Sequence, residues 1–131
     1  QVNLMGTAAV IRASMSALLE SQGQVVTVAS TLGRRALPDA SAYCASKFGV
    51  VGLTRALNAE MGHRLRVTCV MPGGMDTPFF DGRPQKYRPA ADAPLMVPED
   101  VAEVIVDVLR RRGSATVPEI MITPGGETSW P

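Results

Sequence analysis

Cysteine and histidine are scarce in this sequence, which has two of the first and one of the second among 131 residues. Cys44 and Cys69 fall in a predicted helix and a predicted strand, and neither has the C-x-x-C or Cys/His spacing of a metal or redox site. We therefore expect no metal site and two buried cysteines in a reducing compartment. His63 follows a glycine that ends a predicted helix, so we expect it at the surface.

The sequence also lacks an excess of charge of either sign. Thirteen Lys and Arg residues stand against twelve Asp and Glu residues, which gives a formal net charge of +1. Such a balance provides no long-range field that would recruit nucleic acid or an anionic membrane. We find no stretch of about 18 apolar residues for a membrane span, and no charged start followed by an apolar run as in a secretory signal. These absences predict a cytoplasmic protein without nucleic-acid or membrane partners.

Apolar residues, by contrast, are abundant. The chain is 46% hydrophobic and only 19% charged, whereas small domains normally give more of their sequence to a polar surface. A chain of this length can bury roughly two thirds of its unfolded surface in one core. We therefore expect a single domain over residues 1–131, with part of its apolar surface covered by a partner.

Apolar periodicity divides the chain into alternating helices and strands. The predicted helices cover residues 3–20, 41–61 and a segment from 98 onward, and the predicted buried strands cover residues 25–29, 65–71 and 119–123. Ser41 is available as the cap of the second helix, and Pro98 opens the third. This order predicts an α/β fold with a parallel sheet of three strands and flanking helices.

One long segment, residues 78–97, has little periodicity and many prolines. It carries the apolar residues Phe79, Phe80 and Leu95 among charged ones. Because uncovered loops of this length are more often functional than decorative, we expect this segment to take part in function.

Reactive groups in parallel sheets gather at the carboxyl ends of the strands. Ser30 follows the first predicted strand, and a Pro-Gly-Gly turn over residues 72–77 follows the second. On the helix between them Tyr43 and Lys47 are four residues apart, so they project from one face. A fixed positive charge nearby favours the phenolate form of a tyrosine, which is a route to a tyrosine acid/base catalyst.

Taken singly, each of these features has a plainer interpretation. Serines often end strands, so Ser30 alone indicates little. Tyr43 and Lys47 alone fit a pair on a solvated helix face. Gly73 and Gly74 alone fit a simple turn.

Taken together, the residues resemble the motifs of the short-chain dehydrogenase/reductase family. The run Tyr43-Cys44-Ala45-Ser46-Lys47 is similar to the family's Y-x-A-S-K signature, and Ser30 stands thirteen residues before the tyrosine, as the family's catalytic serine does. Asn3-Leu4-Met5-Gly6 resembles its N-x-x-G motif, and the turn over residues 72–77 resembles its P-G-x-x-x-T motif. The tail over residues 127–131 is similar to the ending of a broad subgroup.

The resemblance implies the carboxyl-terminal half of a Rossmann-like domain and an acid/base centre. In that centre Tyr43 exchanges a proton with the substrate oxygen, Ser30 hydrogen-bonds the same oxygen, Lys47 assists Tyr43, and Asn3 relays protons to solvent. The implied reaction transfers a hydride between a nicotinamide cofactor and a carbonyl compound or secondary alcohol.

The resemblance also implies binding partners. The cofactor is NADP or NAD, with NADP slightly preferred, and its implied contacts are Tyr43, Lys47, Pro72, Gly73, Met75 and Thr77. Residues 78–97 correspond to the family's substrate lid and would favour a moderately apolar small molecule. The helices over residues 3–20 and 41–61 correspond to the surfaces through which these enzymes commonly form homo-oligomers.

One family feature has no match in the sequence. The phosphate-binding T-G-x-x-x-G-x-G turn is absent, and the chain's own glycine-rich spots lack its strand, glycine spacing and helix start. Two hypotheses follow. The chain is either part of an oxidoreductase whose cofactor-binding front half lies outside this sequence, or a catalytically inactive remnant that acts as an interaction or oligomerisation module.

Overall fold

A computed structural model describes residues 2–127 of the chain. Its three strands are β1 (Gln24–Val28), β2 (Arg66–Pro72) and β3 (Glu119–Ile122), which lie side by side in that order. Both pairings are parallel, with Val26 opposite Thr68 and Val70 opposite Ile120. The prediction of a three-stranded, Rossmann-like parallel sheet is therefore confirmed.

Three α-helices connect and flank the strands. They are α1 (Thr7–Glu20), α2 (Ser41–Met61) and α3 (Pro98–Arg110). A π-helical turn (Val2–Gly6) precedes α1, and short 3₁₀ turns cover Thr31–Gly33, Pro78–Phe80 and Gln85–Tyr87. As predicted, α3 begins with Pro98. It also carries acidic residues in its first turn, where they complement the helix dipole.

The central strand β2 holds the layers together because its alternate side chains point to opposite faces. On one face, Cys69 and Met71 pack with Val50 and Val51 of α2. Val67 on the same face belongs to a second cluster, against which apolar residues of α1 pack. On the other face, Val70 packs with residues of α3 and with Met96. The sheet is thus sandwiched between α1 and α2 on one side and α3 on the other.

Several local predictions are wrong in detail. The first helix was expected as one element from residue 3, but its first turn is π-helical through Gly6. Ser41 is not the cap of α2, because Ala40 occupies the N-cap position without a side-chain hydrogen bond and Ser41 is the first helical residue. The predicted strand at 25–29 is only partly buried, since β1 forms an edge of the sheet and Val28 is half exposed.

The N-terminal helix also corrects the expectation that no segment could span a membrane. Val2–Glu20 is long and apolar enough by length and composition. A helix that packs one face on a sheet meets the same criterion, and Ile11, Met15 and Leu18 do pack against the core cluster around Val67. The residues facing away stay exposed, among them Val10 at 66%.

The structure tests the predicted burial of the two cysteines and the predicted exposure of the histidine. Cys44 and Cys69 are buried and His63 is exposed, as predicted. The absence of a metal site stays a prediction, and within residues 2–127 no group of three or more His, Cys, Asp and Glu side chains could hold a metal ion. Most of the tail that resembles a family ending, residues 128–131, lies outside the described residues.

An ion-pair network ties β3 to two other elements. The Glu119 carboxylate accepts from Arg34 at 2.7 Å and from Arg55 of α2 at 2.5 Å. Arg34 directly follows the 3₁₀ turn after Ser30, so the network also anchors that turn. The hydrogen bond from Arg55 is the main cause that lowers the pKa of Glu119 below its usual range.

We expect Glu119→Gln to lower the melting temperature of the protein by about 2–5 °C at neutral pH, because the amide carries no charge and keeps only one acceptor oxygen for two arginines. A carboxyl whose pKa is lower in the folded state contributes stability above its unfolded pKa and loses it as the pH falls through the folded pKa. The difference between variant and wild type should therefore begin to shrink as the pH falls below about 4, near the unfolded pKa, and should vanish only below the lower pKa of the folded protein.

Thermal melts of the wild type, Glu119→Gln and Glu103→Gln across this pH range test the expectation. Glu103 is an exposed residue of α3 that forms no ion pair with other residues of the range 2–127, so its variant makes the same change in charge without the network. Equal shifts for the two variants, or a shift that does not depend on pH, would contradict it.

Candidate active site

The site lies at the carboxyl ends of β1 and β2, and Ser30 is its first element. Ser30 is buried, with 9% of its surface exposed, and caps the 3₁₀ turn Thr31–Gly33. Its Oγ accepts a hydrogen bond from the backbone N–H of Leu32 at 3.1 Å. The cap fixes the serine side chain and leaves its hydroxyl proton available as a donor.

Tyr43 and Lys47 lie one turn apart on α2 and approach each other as the spacing predicted. The Lys47 Nζ is 5.7 Å from the centroid of the Tyr43 ring. The ammonium also donates to the carbonyl of Val28, the last residue of β1, at 3.2 Å. Burial lowers the pKa of Lys47 from its usual range. A half-buried cation is thus held between a strand end and a tyrosine ring.

The turn after β2 is built on close backbone contacts. The N–H of Gly73 donates to the carbonyl of Ile122 in β3 at 2.7 Å, which extends the sheet by one residue. A side chain at Gly74 would come within 2.8 Å of Leu95, so a glycine lets the far end of the 78–97 segment pack here. Thr77 caps the next 3₁₀ turn through a hydrogen bond from the N–H of Phe79.

The two ends of the segment over residues 78–97 are fastened to each other. Met75 and Met96 form an isolated parallel bridge, with Asp76 N–H donating to the Met96 carbonyl at 2.8 Å and Met96 N–H to the Gly74 carbonyl at 3.1 Å. Between these ends the chain loops out over the strand ends. Phe79 in the loop meets Tyr43, with ring centroids 5.6 Å apart.

A cavity of about 910 Å³ lies between the loop, the Ser30 turn and the start of α2. Five of the predicted site residues line it: Ser30, Tyr43, Gly73, Met75 and Thr77. The structure thus brings together groups that are far apart in the sequence, and all three apolar residues singled out in the loop, Phe79, Phe80 and Leu95, line the same cavity.

Three predicted site residues do not line the cavity. Lys47 lies behind Tyr43, and Pro72 is the buried last residue of β2. Asn3 is exposed in the π-helical turn, where its Nδ2 donates to Ser46 Oγ at 3.4 Å. Asn3 therefore contacts α2 next to Lys47 rather than the cavity itself.

Sequence reasoning missed several residues that line the cavity. The most prominent are the basic residues Arg35, Arg83, Lys86 and Arg88 and the aromatic Tyr87. Three of the four basic residues belong to the 78–97 segment, where a net excess of basic over acidic residues was the available signal.

The residues at these strand ends fit one end of a nicotinamide dinucleotide. Tyr43 and the backbone of the 73–77 turn offer a phenol and peptide groups at the cavity, and the half-buried Lys47 ammonium lies behind the tyrosine, outside the cavity lining. The cavity is also large enough for a small molecule beside them, since ligand cavities run from about 300 to 1,000 Å³.

The chain is similar in sequence to known proteins. The family model for short chain dehydrogenases matches residues 1–88. The (3R)-3-hydroxyacyl-CoA dehydrogenase of Mus musculus is 35% identical over 112 residues, which cover 79% of this chain and 43% of that protein. The 3-oxoacyl-(acyl-carrier-protein) reductase FabG of Thermotoga maritima is 31% identical over 132 residues, which cover 95% of this chain and 54% of that protein.

The fold of this chain is similar to that of solved dehydrogenase structures. A 4-hydroxyisoleucine dehydrogenase mutant, complexed with NADH and succinate, matches with a TM-score of 0.79 at 26% identity, over 98% of this chain and 57% of that one. The chain thus spans about half the length of the proteins it matches. The match to the family model and the shared fold together show that this chain belongs to the short-chain dehydrogenase family.

Proposed function

We propose that this chain is the carboxyl-terminal, catalytic half of an oxidoreductase that transfers a hydride between NADP or NAD and a carbonyl compound or secondary alcohol. The observation that carries the proposal is the convergence of Ser30 and Tyr43 on one cavity, with Lys47 directly behind the tyrosine. Relatives named as dehydrogenases and reductases support the reaction class.

Tyr43 is the proton donor to the substrate oxygen during reduction and the acceptor during oxidation. Ser30 supports the same oxygen, because its Oγ already accepts from Leu32 and its hydroxyl proton can point into the cavity. A hydrogen bond aimed at the oxygen stabilises the negative charge that develops there as the hydride arrives.

Lys47 and Asn3 act behind the tyrosine. The Val28 carbonyl holds the Lys47 ammonium in place, 5.7 Å from the centroid of the Tyr43 ring, so that a positive charge stands next to the proposed acid. Asn3 is proposed to relay protons toward solvent, and its hydrogen bond to Ser46, the neighbour of Lys47 on α2, supports this role.

The cofactor contacts are proposed for Tyr43, Lys47, Pro72, Gly73, Met75 and Thr77. Nicotinamide supplies or accepts the hydride when it is bound. On the protein side, the backbone of the 73–77 turn and the Lys47 ammonium bind and orient that end of the dinucleotide. The named complex of a neighbouring structure with NADH supports a nicotinamide cofactor, and we keep NADP as slightly preferred.

Residues 78–97 are proposed as the substrate lid. Their ends are fastened by the Met75–Met96 bridge, while most of the loop between is exposed. Phe79 stands against Tyr43 and brings an apolar wall to the reacting centre. A small, moderately apolar carbonyl compound suits this lining.

The test is a reductase assay with the protein expressed from its complete coding sequence. We expect NADPH or NADH to be oxidised only when a ketone is present, with saturable rates and the secondary alcohol as product by mass spectrometry. A protein that binds neither nucleotide in a fluorescence titration, or binds one without ketone-dependent turnover, would contradict the proposal.

A second candidate function is an inactive interaction module. It is favoured by the apolar side chains left exposed on the π-helical turn, α1 and α2, namely Met5 at 64%, Val10 at 66% and Phe48 at 46%. Both candidates use these helices, residues 3–20 and 41–61, to form a homo-oligomer. Sedimentation analysis that finds only monomers would contradict that shared part, and the reductase assay separates the two candidates.

A further inference from the structure

Basic side chains are in excess around the cavity. Its lining includes Arg35, Arg83, Lys86 and Arg88 against two acidic residues, Asp39 and Glu127. The whole chain, by contrast, is almost neutral. The positive charge is therefore concentrated where a substrate would enter, and three of the four basic residues stand on the loop that covers the cavity.

Arg83 is held in a fixed position by two contacts with Phe79. Its guanidinium carbon lies 4.1 Å from the centroid of the Phe79 ring, which is a cation–π distance. Its Nε donates to the Phe79 carbonyl at 2.9 Å. Because Phe79 in turn lies against Tyr43, a single aromatic ring separates the guanidinium from the proposed acid.

Arg88 is held in a similar way by the loop backbone. Its Nε donates to the carbonyl of Arg83 at 2.8 Å. In both arginines the Nε is therefore used for positioning, while the terminal N–H groups remain for another partner. None of the ion pairs within residues 2–127 involves Arg83 or Arg88, whereas Lys86 pairs with Asp39 at 3.7 Å.

We propose that Arg83, assisted by Arg88, binds an anionic group on the substrate, a carboxylate or a phosphate monoester. The inference rests on the proposed function and specifies its substrate class. A guanidinium presents parallel N–H donors that match two oxygens of such a group, and the stacking on Phe79 keeps that fork oriented.

This arrangement would select substrates by the distance between their carbonyl group and their anionic group. The reacting carbonyl lies between Ser30 and Tyr43, and Arg83 stands one ring beyond Tyr43, so a short chain of carbons joins the two ends of the substrate. The two contacts with Phe79 hold Arg83 at that distance. The binding of the anion then orients the ketone toward the acid.

The experiment compares the levulinate anion with its neutral methyl ester, which carries the same ketone. In the Arg83→Gln variant of the complete protein we expect kcat/KM for levulinate to fall about 10- to 50-fold, mainly through KM, because charge-assisted hydrogen bonds are lost. The rate with the methyl ester should change less than about twofold. Arg83→Lys, which keeps the charge but loses the fork, should lie between.

The matched control is Arg64→Gln. Arg64 is an exposed arginine just before β2, at the end of the sheet away from the cavity, and its variant makes the same change in charge. This variant should leave the ratio of kcat/KM for levulinate to kcat/KM for the methyl ester unchanged. A ketone with a terminal phosphate monoester, assayed beside levulinate, distinguishes a phosphate site from a carboxylate site.

The outcomes separate this inference from the proposed function. If ketones are reduced but Arg83→Gln lowers kcat/KM for levulinate and for its methyl ester equally, the anion-site inference is wrong, whereas the proposed oxidoreductase activity is supported. If no ketone is reduced but calorimetry shows that levulinate or the phosphate binds and that Arg83→Gln removes the binding, the anion site stands and the proposed reaction fails. If the protein shows no turnover of any ketone and no Arg83-dependent binding of either anion, the inference is overturned.

Discussion

Tyr43→Phe is expected to reduce kcat about 10³- to 10⁴-fold while nucleotide binding changes less than about twofold. The substitution removes only the hydroxyl, so the ring can still pack against Phe79. General acid catalysis by a positioned side chain contributes a factor of this size, and no other phenol can replace it at that point of the cavity. Steady-state rates with a ketone substrate and a fluorescence titration with NADPH measure the two quantities.

The chain provides a matched control for this variant. Tyr87 is its other tyrosine and lines the same cavity from the 3₁₀ turn Gln85–Tyr87, where Lys86 covers its ring at 4.4 Å. Tyr87→Phe removes an equivalent hydroxyl without touching the proposed acid, so we expect its kcat to stay within about threefold of the wild type. Substantial turnover by Tyr43→Phe, or an equal loss in both variants, would rule out Tyr43 as the specific proton donor.

The sequence was sufficient to predict the order of the elements and the meeting of distant residues. Strand periodicity located β2, where every residue after Arg66 is buried, and the parallel order then brought Ser30 and the 72–77 turn to one edge of the sheet. The four-residue spacing brought Lys47 to Tyr43. These results depend on local pattern and on the general topology of parallel sheets, which a single sequence records directly.

Local geometry that depends on tertiary contacts could not be predicted. The π-helical start of the N-terminal helix accompanies the packing of Leu4 against Gly49 and the hydrogen bond from Asn3 to Ser46, both of which join segments far apart in sequence. The cap of α2 is decided by the approach of the preceding loop, in which Asp39 has a positive φ of 59°. No spacing rule contains this information.

The basic lining of the cavity was missed for a related reason. Arg83 reads in sequence as one of several charged residues in a proline-rich loop. Its position depends on how that loop folds back on Phe79 and on the bridge between Met75 and Met96. A count of charges along residues 78–97 gives the sign of the charge on the cavity lining. The direction of each guanidinium is decided only when the loop folds.

Gly33→Ala is expected to reduce kcat about 10- to 100-fold, because this glycine sets the spacing between the Ser30 turn and α2. A Cβ at Gly33 would lie 2.9 Å from the Lys47 carbonyl oxygen and 2.9 Å from Val51 Cγ2. The first of these is a backbone atom of a helix, which cannot move aside cheaply. The turn must therefore shift away from α2, and Ser30, whose carbonyl accepts from the N–H of Gly33, must shift with it.

The matched control is Gly52→Ala, also on the α2 side of the molecule. Gly52 lies within α2 and a Cβ there would meet nothing within 4 Å, so alanine should raise the stability by about 0.5–1 kcal/mol and leave kcat unchanged. Overpacking at Gly33 should instead cost about 1–3 kcal/mol. Assays well below both melting temperatures separate misplacement of Ser30 from unfolding. If Gly33→Ala lowers the melting temperature but keeps a normal kcat, the close approach to Lys47 serves stability alone and does not position the serine.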